Sequence, residues 1–314
     1  MVWIVGAAGL AILLLAGDLL VRGAVGAAPR LGIPAFLVSL TVVALGTSAP
    51  ELLLSIQAVL GGAPGLALGN VVGSNTANAL LVLGVPALVS RLRTKETDCR
   101  KSYVTMLGVS AVFFLLCLTG PLNRVHGTML LLILVLVVSD QVRHAASNRR
   151  MTGLQAVESP ESRMRLRTAA LFMGLGIACL PLGAGLLVNA AVEMAVILGV
   201  SDSAIGLTIV AVGTSLPELA TTTMAAVRRN ADVALGNVIG SNMFNLLLIA
   251  GGAALFGTIP VPRVFLVFDL WCMLGASALL APFVFFRKWE MTRRFGVLFT
   301  VLYVVYVILV VQHG

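Results

Sequence analysis

Apolar residues run along this chain in blocks of about 20, broken by charged residues or by Gly and Pro. That is the length a helix needs to cross a hydrocarbon core. The blocks predict ten spans, at roughly 2–21, 35–60, 65–89, 103–120, 125–142, 168–192, 203–227, 232–256, 264–286 and 295–312. The longest hydrophilic stretch, 143–167, falls between spans five and six. It carries six arginines and two glutamates, the composition of a flexible linker. The N-terminal block lacks a basic leader and a small-residue cleavage site, so it reads as a first membrane helix and not as a removed signal.

Composition agrees. The 314 residues are 59% hydrophobic and 11% charged, with mean hydropathy +1.04; soluble domains carry about 25% charged residues. Basic residues outnumber acidic ones 21 to 13. In a soluble chain that excess would suggest nucleic acid; here it marks loops on the side of an anionic leaflet. With ten spans, the loops after the odd-numbered ones hold 19 of the 21 basic residues, and the other side holds only Arg124 and Arg263. The positive-inside rule then places both termini outside and 143–167 in the cytoplasm. Cys99, Cys117, Cys179 and Cys272 show no metal-binding or redox spacing and read as spectator thiols.

The spans contain a repeat. Gly46-Thr47-Ser48-Ala49-Pro50-Glu51-Leu52 recurs as Gly213-Thr214-Ser215-Leu216-Pro217-Glu218-Leu219, and 69–78 recurs as 236–245, both at an offset of 167 residues. Aligning 41–84 with 208–251 needs no gap and gives 22 identities in 44 positions. Each half holds five spans, an odd number, so the second half enters the membrane inverted relative to the first. The predicted fold is an all-α polytopic membrane protein of two inverted five-helix repeats, 1–142 and 168–314, joined by the 143–167 linker. Inverted repeats characterise many secondary transporters.

The repeated residues carry oxygen. Pro50 interrupts span two and frees backbone carbonyls, which a membrane tolerates only around a cavity or inside protein. Thr47 and Glu51 share a helix face, with Ser48 beside them; Ser74 and Asn78 share one on span three. The second half supplies Thr214, Ser215, Glu218, Ser241 and Asn245. Inversion brings spans 2, 3, 7 and 8 face to face around a midplane site with two carboxylates. Hard cations take such oxygen sets: two glutamates balance one Ca²⁺, or the same oxygens serve several Na⁺. Buried acids in a membrane mark function, because burying one costs several kcal/mol. The glycines and Asn70, Asn75, Asn237 and Asn242 read as packing and backbone hydrogen bonding. Asp18 has Gly185 as its counterpart and breaks the symmetry. Glu193 and Asp202 read as solvated loop charges, and Asp269 as an interfacial or hydrogen-bonded acid.

The motif pair GTSxPEL and GNVxGSNxxN, present twice, resembles the alpha repeats of the cation/calcium exchanger superfamily, and most closely its prokaryotic sodium/calcium exchanger branch. The resemblance covers nearly the whole chain. It implies Na⁺/Ca²⁺ antiport by alternating access, with Ca²⁺ and Na⁺ as transported ions and no cofactor. It implies that Glu51 and Glu218 bind Ca²⁺, and that Thr47, Ser48, Thr214 and Ser215 add oxygens. Ser74 and Ser241 would complete Na⁺ sites, and the carbonyls of Ala44 and Ala211 would be further ligands. It also implies that spans one and six move. Asn245, where potassium-dependent relatives carry Asp, implies K⁺ independence. Val71-Val72 and Val238-Ile239 stand where proton-coupled relatives carry an acid, which disfavours H⁺ coupling.

The alternative is a Ca²⁺/H⁺ or broader cation/proton antiporter. A channel lacks a use for inverted broken helices. An intramembrane serine protease around Ser48 needs an embedded base, and His126, His144 and His313 all fall at helix ends or in loops. The expected partners are the bilayer and the ions, with no nucleic acid and no obligatory protein partner. The expected place is the inner membrane of a prokaryote.

Overall fold

The computed structural model describes residues 2–92, 99–151, 164–197, 211–286 and 289–313. The molecule is helical, its elements being α1 (Val2–Leu31), α2 (Ala35–Thr47), α3 (Ala49–Leu60), α4 (Pro64–Val89), α5 (Arg100–Leu118), α6 (Arg124–Met151), α7 (Leu166–Ile197), α8 (Ala211–Gly213), α9 (Leu216–Val227), α10 (Ala231–Phe256), α11 (Phe265–Phe285) and α12 (Arg293–His313). Among the described residues, eight helices are long and apolar enough to cross a membrane, and α2 with α3 makes a ninth as a bent pair. The predicted span at 203–227 begins outside the described residues, as does Asp202.

Three boundaries differ from expectation, one of them the end of α7, which reaches Ile197 beyond the predicted 192 and so carries Glu193 within a helix and not in a loop. Helix α1 runs ten residues past the predicted end at 21, through Asp18 and Arg22. These charges do not end the helix because they are neutralised within it: Asp18 pairs with Arg22 one turn on and with Arg228 from the end of α9. Helix α6 continues to Met151, so the first part of the 143–167 segment is helical.

Centre and periphery separate by burial. In their most apolar windows α4 and α10 are 78% and 83% buried, whereas α12 is 17% buried. The outer helices instead turn large apolar side chains outward, among them Leu132, Leu136, Leu182, Trp271 and Val267. Such a belt suits acyl chains as solvent.

Helices α1 and α7 are repeat equivalents, and they cross as a two-fold pair. A methyl group on Gly9 would stand 2.7 Å from Leu187 N and 3.0 Å from Gly183 O. On its counterpart Gly176, a methyl would stand 3.0 Å from Leu20 N and 2.9 Å from Ala16 O. Residue numbers fall along one helix as they rise along the other, so the equivalent helices run antiparallel. Two isolated backbone bridges follow nearly the same relation: Leu92 pairs with Met291, and Ile259, the counterpart of Leu92, pairs with Leu122, two residues from the counterpart of Met291.

Candidate functional site

The site is built where two helices break. Between α2 and α3 the axis bends 40°, at Ser48 with φ −85° and ψ 0°. Ser215 has φ −87° and ψ 3° at the start of α9. Pro50 and Pro217 fall in the first turn of α3 and α9, where a missing N–H costs no hydrogen bond. Glu51 and Glu218 sit in those same first turns, where the helix dipole favours negative charge. Neither serine caps its helix through its side chain. Instead the Ser48 hydroxyl donates to Glu218 Oε1 at 3.5 Å.

The two carboxyl groups are neighbours, and Thr47 and Ser48 lie against Glu218 as well. Glu51 and Glu218 are each 2% exposed, and Thr47, Ser48, Ser215, Asn78, Ser241 and Asn245 are equally deep. Ser74 is also buried, and Thr214 is half-buried. Nine of the predicted ligand side chains are thus brought into the interior. Ala44 O accepts hydrogen bonds from Ser48 N at 3.0 Å and Thr47 Oγ1 at 3.2 Å. Ala211 opens α8.

Six of these residues place a buried oxygen that makes no hydrogen bond among the described residues: Glu51 Oε2, Glu218 Oε2, Asn78 Oδ1, Asn245 Oδ1, Ser215 Oγ and Ser241 Oγ. Buried polar atoms are paired as a rule, and leaving one unpaired costs about 1–3 kcal/mol. Two carboxylate oxygens and four neutral ones form a set of acceptors without protein donors, which is what an oxygen-liganded cation requires. Among the described residues no group of three or more His, Cys, Asp or Glu residues is arranged to hold a metal. The donor set is therefore two acids plus neutral oxygens.

Helix packing draws these groups together. Helix α10 meets α2 backbone to backbone: a methyl on Gly236 would stand 2.5 Å from Phe36 O, and one on Gly240 would collide with Leu40 O. The equivalent neighbour of Gly69 and Gly73 precedes Ala211 and lies outside the described residues.

Two of the other acids, Asp18 and Asp269, have partners elsewhere. Asp18 belongs to the pair with Arg228. Asp269 is buried and accepts a hydrogen bond from Tyr306 at 3.3 Å. Sequence reasoning passed over Ser55 and Thr222, which bind the side chains of Asn70 and Asn237. They are repeat equivalents that differ by a methyl group, so counting identities does not find them; pairing hydroxyl with hydroxyl would.

The sodium/calcium exchanger protein family profile matches residues 1–142 and 168–312. The chain is 32% identical to the sodium/calcium exchanger MaX1 of Methanosarcina acetivorans over 335 residues, covering 96% of this chain and 95% of that one. It is 34% identical to the inner membrane protein YrbG of Escherichia coli (strain K12), covering 93% and 91%. Among solved structures, it superposes on the sodium-calcium exchanger NCX_Mj, soaked with Na⁺ and Sr²⁺, with a TM-score of 0.82 at 30% identity, over 97% of this chain and 98% of that chain. By profile, by relatives and by fold, this chain belongs to the sodium/calcium exchanger family of helical membrane proteins, which are transporters and not enzymes.

Proposed function

We propose that this protein exchanges Na⁺ for Ca²⁺ by alternating access, independently of K⁺ and with net charge movement. The observation that carries this reading is the pair Glu51 and Glu218, buried side by side, whose own Oε2 atoms and four oxygens of Asn78, Asn245, Ser215 and Ser241 have no hydrogen-bond partner among the described residues. One Ca²⁺ neutralises both carboxylates. Moving it against more than two Na⁺ transfers charge across the membrane. Thr47, Ser48, Thr214 and Ser215 would contribute oxygens near the acids, and Ser74, Asn78, Ser241 and Asn245 would complete Na⁺ positions. The carbonyls of Ala44 and Ala211 would serve as further ligands.

Asn78 and Asn245 are both neutral amides, so the site has two acids and no third, which supports K⁺ independence. Val71 and Val238, next to the Gly-Asn pairs, offer no proton carrier. The proposed units are the five-helix repeats 1–142 and 168–314 with the 143–167 connection between them. The bias of basic loops supports outward termini and a cytoplasmic connection in a prokaryotic inner membrane.

The test is Ca²⁺ uptake into proteoliposomes loaded with Na⁺ at fixed pH, repeated with K⁺ removed and with a pH gradient in place of the Na⁺ gradient. Uptake that follows Na⁺, ignores K⁺ and responds to membrane potential is the expected result. Uptake that follows the pH gradient and ignores Na⁺ replaces it with cation/proton exchange.

A further inference from the structure

Each glutamate-bearing half-helix is tied to the next helix by an asparagine that lies outside the proposed ligand set. Asn70 on α4 donates from Nδ2 to Ser55 Oγ at 3.0 Å and to the carbonyl of Glu51 at 3.3 Å. Asn237 on α10 donates from Nδ2 to Thr222 Oγ1 at 3.1 Å. The two ties are repeat equivalents: Asn70 corresponds to Asn237, and Ser55 to Thr222.

Their placement is specific. Ser55 follows Glu51 by four residues, and Thr222 follows Glu218 by four, so each hydroxyl lies one turn beyond its carboxylate on the same face. Asn70, Ser74 and Asn78 are likewise spaced by four along α4, and Asn237, Ser241 and Asn245 along α10. One end of each stripe grips the glutamate's helix, and farther along Asn78 Oδ1, Ser241 Oγ and Asn245 Oδ1 have no hydrogen-bond partner among the described residues, as is also true of Asn237 Oδ1. Ser55, Thr222 and Asn237 are fully buried. A buried hydrogen bond between two side chains on neighbouring helices fixes rotation and height better than apolar contact alone. The tie is not needed to fill space, because an apolar pair of equal volume would pack there as well.

We propose that Asn70 and Asn237 are positioning residues of the cation site: through Ser55 and Thr222 they set where the Glu51 and Glu218 carboxylates stand relative to the oxygens of α4 and α10. The proposal rests on the reading of the two glutamates as cation ligands. A first-order consequence concerns affinity. A carboxylate displaced by a fraction of an ångström still carries its charge, so Ca²⁺ binds but binds more weakly.

The experiment measures Na⁺-driven Ca²⁺ uptake in proteoliposomes against Ca²⁺ concentration for Asn70→Ala, Asn237→Ala, Ser55→Ala, Ser55→Thr and Glu51→Gln. Ca²⁺-dependent thermal stabilisation of each purified protein in detergent is measured in parallel. The expected result is a rise of roughly 5- to 10-fold in half-saturating Ca²⁺ for each alanine variant, the effect of about one lost buried hydrogen bond. The maximal rate should stay within about two-fold, and Ser55→Thr should regain most of what Ser55→Ala loses. Unchanged half-saturation in the alanine variants, or a loss of maximal rate alone, overturns the proposal. Should one asparagine variant fail to fold, Ser55→Ala against Ser55→Thr decides the matter. Glu51→Gln separates the two readings: if it transports Ca²⁺ normally, the ligand assignment itself is wrong.

Discussion

The hydroxyl of Ser48 reaches Glu218 Oε1, 170 residues away in the sequence, at 3.5 Å. The donor stands at the break of one half's helix and the acceptor in the first turn of the other half's. The site is therefore one object assembled across the repeat and not two sites side by side. Removing this hydroxyl weakens a contact near the outer limit of hydrogen-bond length, so its loss should cost about 1 kcal/mol. Ser48→Ala is expected to raise half-saturating Ca²⁺ roughly 5-fold in the liposome assay. An unchanged value would place the hydroxyl outside the site.

Glu51→Gln and Glu218→Gln each remove one of the two charges proposed to balance Ca²⁺. Each variant should insert, fold and elute as the parent does, with Na⁺-driven Ca²⁺ uptake reduced to the level of empty liposomes. Parent-like exchange in either one would remove that residue from the ligand set.

The amides and serines of α4 and α10 carry no charge, so their loss should be milder. Ser74→Ala with Ser241→Ala, and Asn78→Ala with Asn245→Ala, should shift the Na⁺ concentration that half-activates exchange by several-fold while Ca²⁺ transport persists. A titration of Na⁺ at saturating Ca²⁺ checks this, and identical Na⁺ curves would count against the assignment.

Asp18 and Arg228 form a half-buried ion pair that joins α1 to α9, with side chains 17% and 25% exposed. A charge-assisted hydrogen bond of this kind contributes about 1.5–3 kcal/mol, reduced here by partial exposure. Asp18→Asn and Arg228→Gln should each lower the detergent melting temperature by several degrees. The double variant should fall no further than the worse single one, since the pair is lost once. Additive losses would show that the two residues act separately.

The seam between α1 and α7 leaves no room for a side chain at Gly9, Gly176 or Gly183. Gly176→Leu places a branched group where a methyl would already stand 3.0 Å from Leu20 N. Overpacking typically costs about 1–3 kcal/mol. Lower melting temperature and lower yield in membranes are expected; a parent-like protein would mean that the seam opens freely.

Much of the site was legible in the residues alone, and the reasons differ by position. Glu51 and Glu218 stood out because a buried acid is costly in lipid and because the two fall at one repeat offset. Pro50 marked the break because a proline lacks the N–H that would carry a helix through an apolar block. The length of α1 was not legible: Asp18 and Arg22 read as the end of a span, and their neutralising partner, Arg228, lies 210 residues from Asp18. The ties of Asn70 and Asn237 stayed hidden for a similar reason. An asparagine on a small-residue face has many potential acceptors, and only the three-dimensional arrangement selects Ser55 and Thr222.

The pair of Asp18 and Arg228 has no image in the other half, where the equivalent positions are Gly185 and Gly61. A machine with perfect two-fold symmetry would possess two facing states of identical free energy, related by that axis, each made from the other by exchanging the roles of its halves. A contact without an image has no counterpart to balance it when the halves exchange roles. Under the proposed alternating access it would split that degeneracy, and the bias toward one orientation would be written into the first and ninth helices.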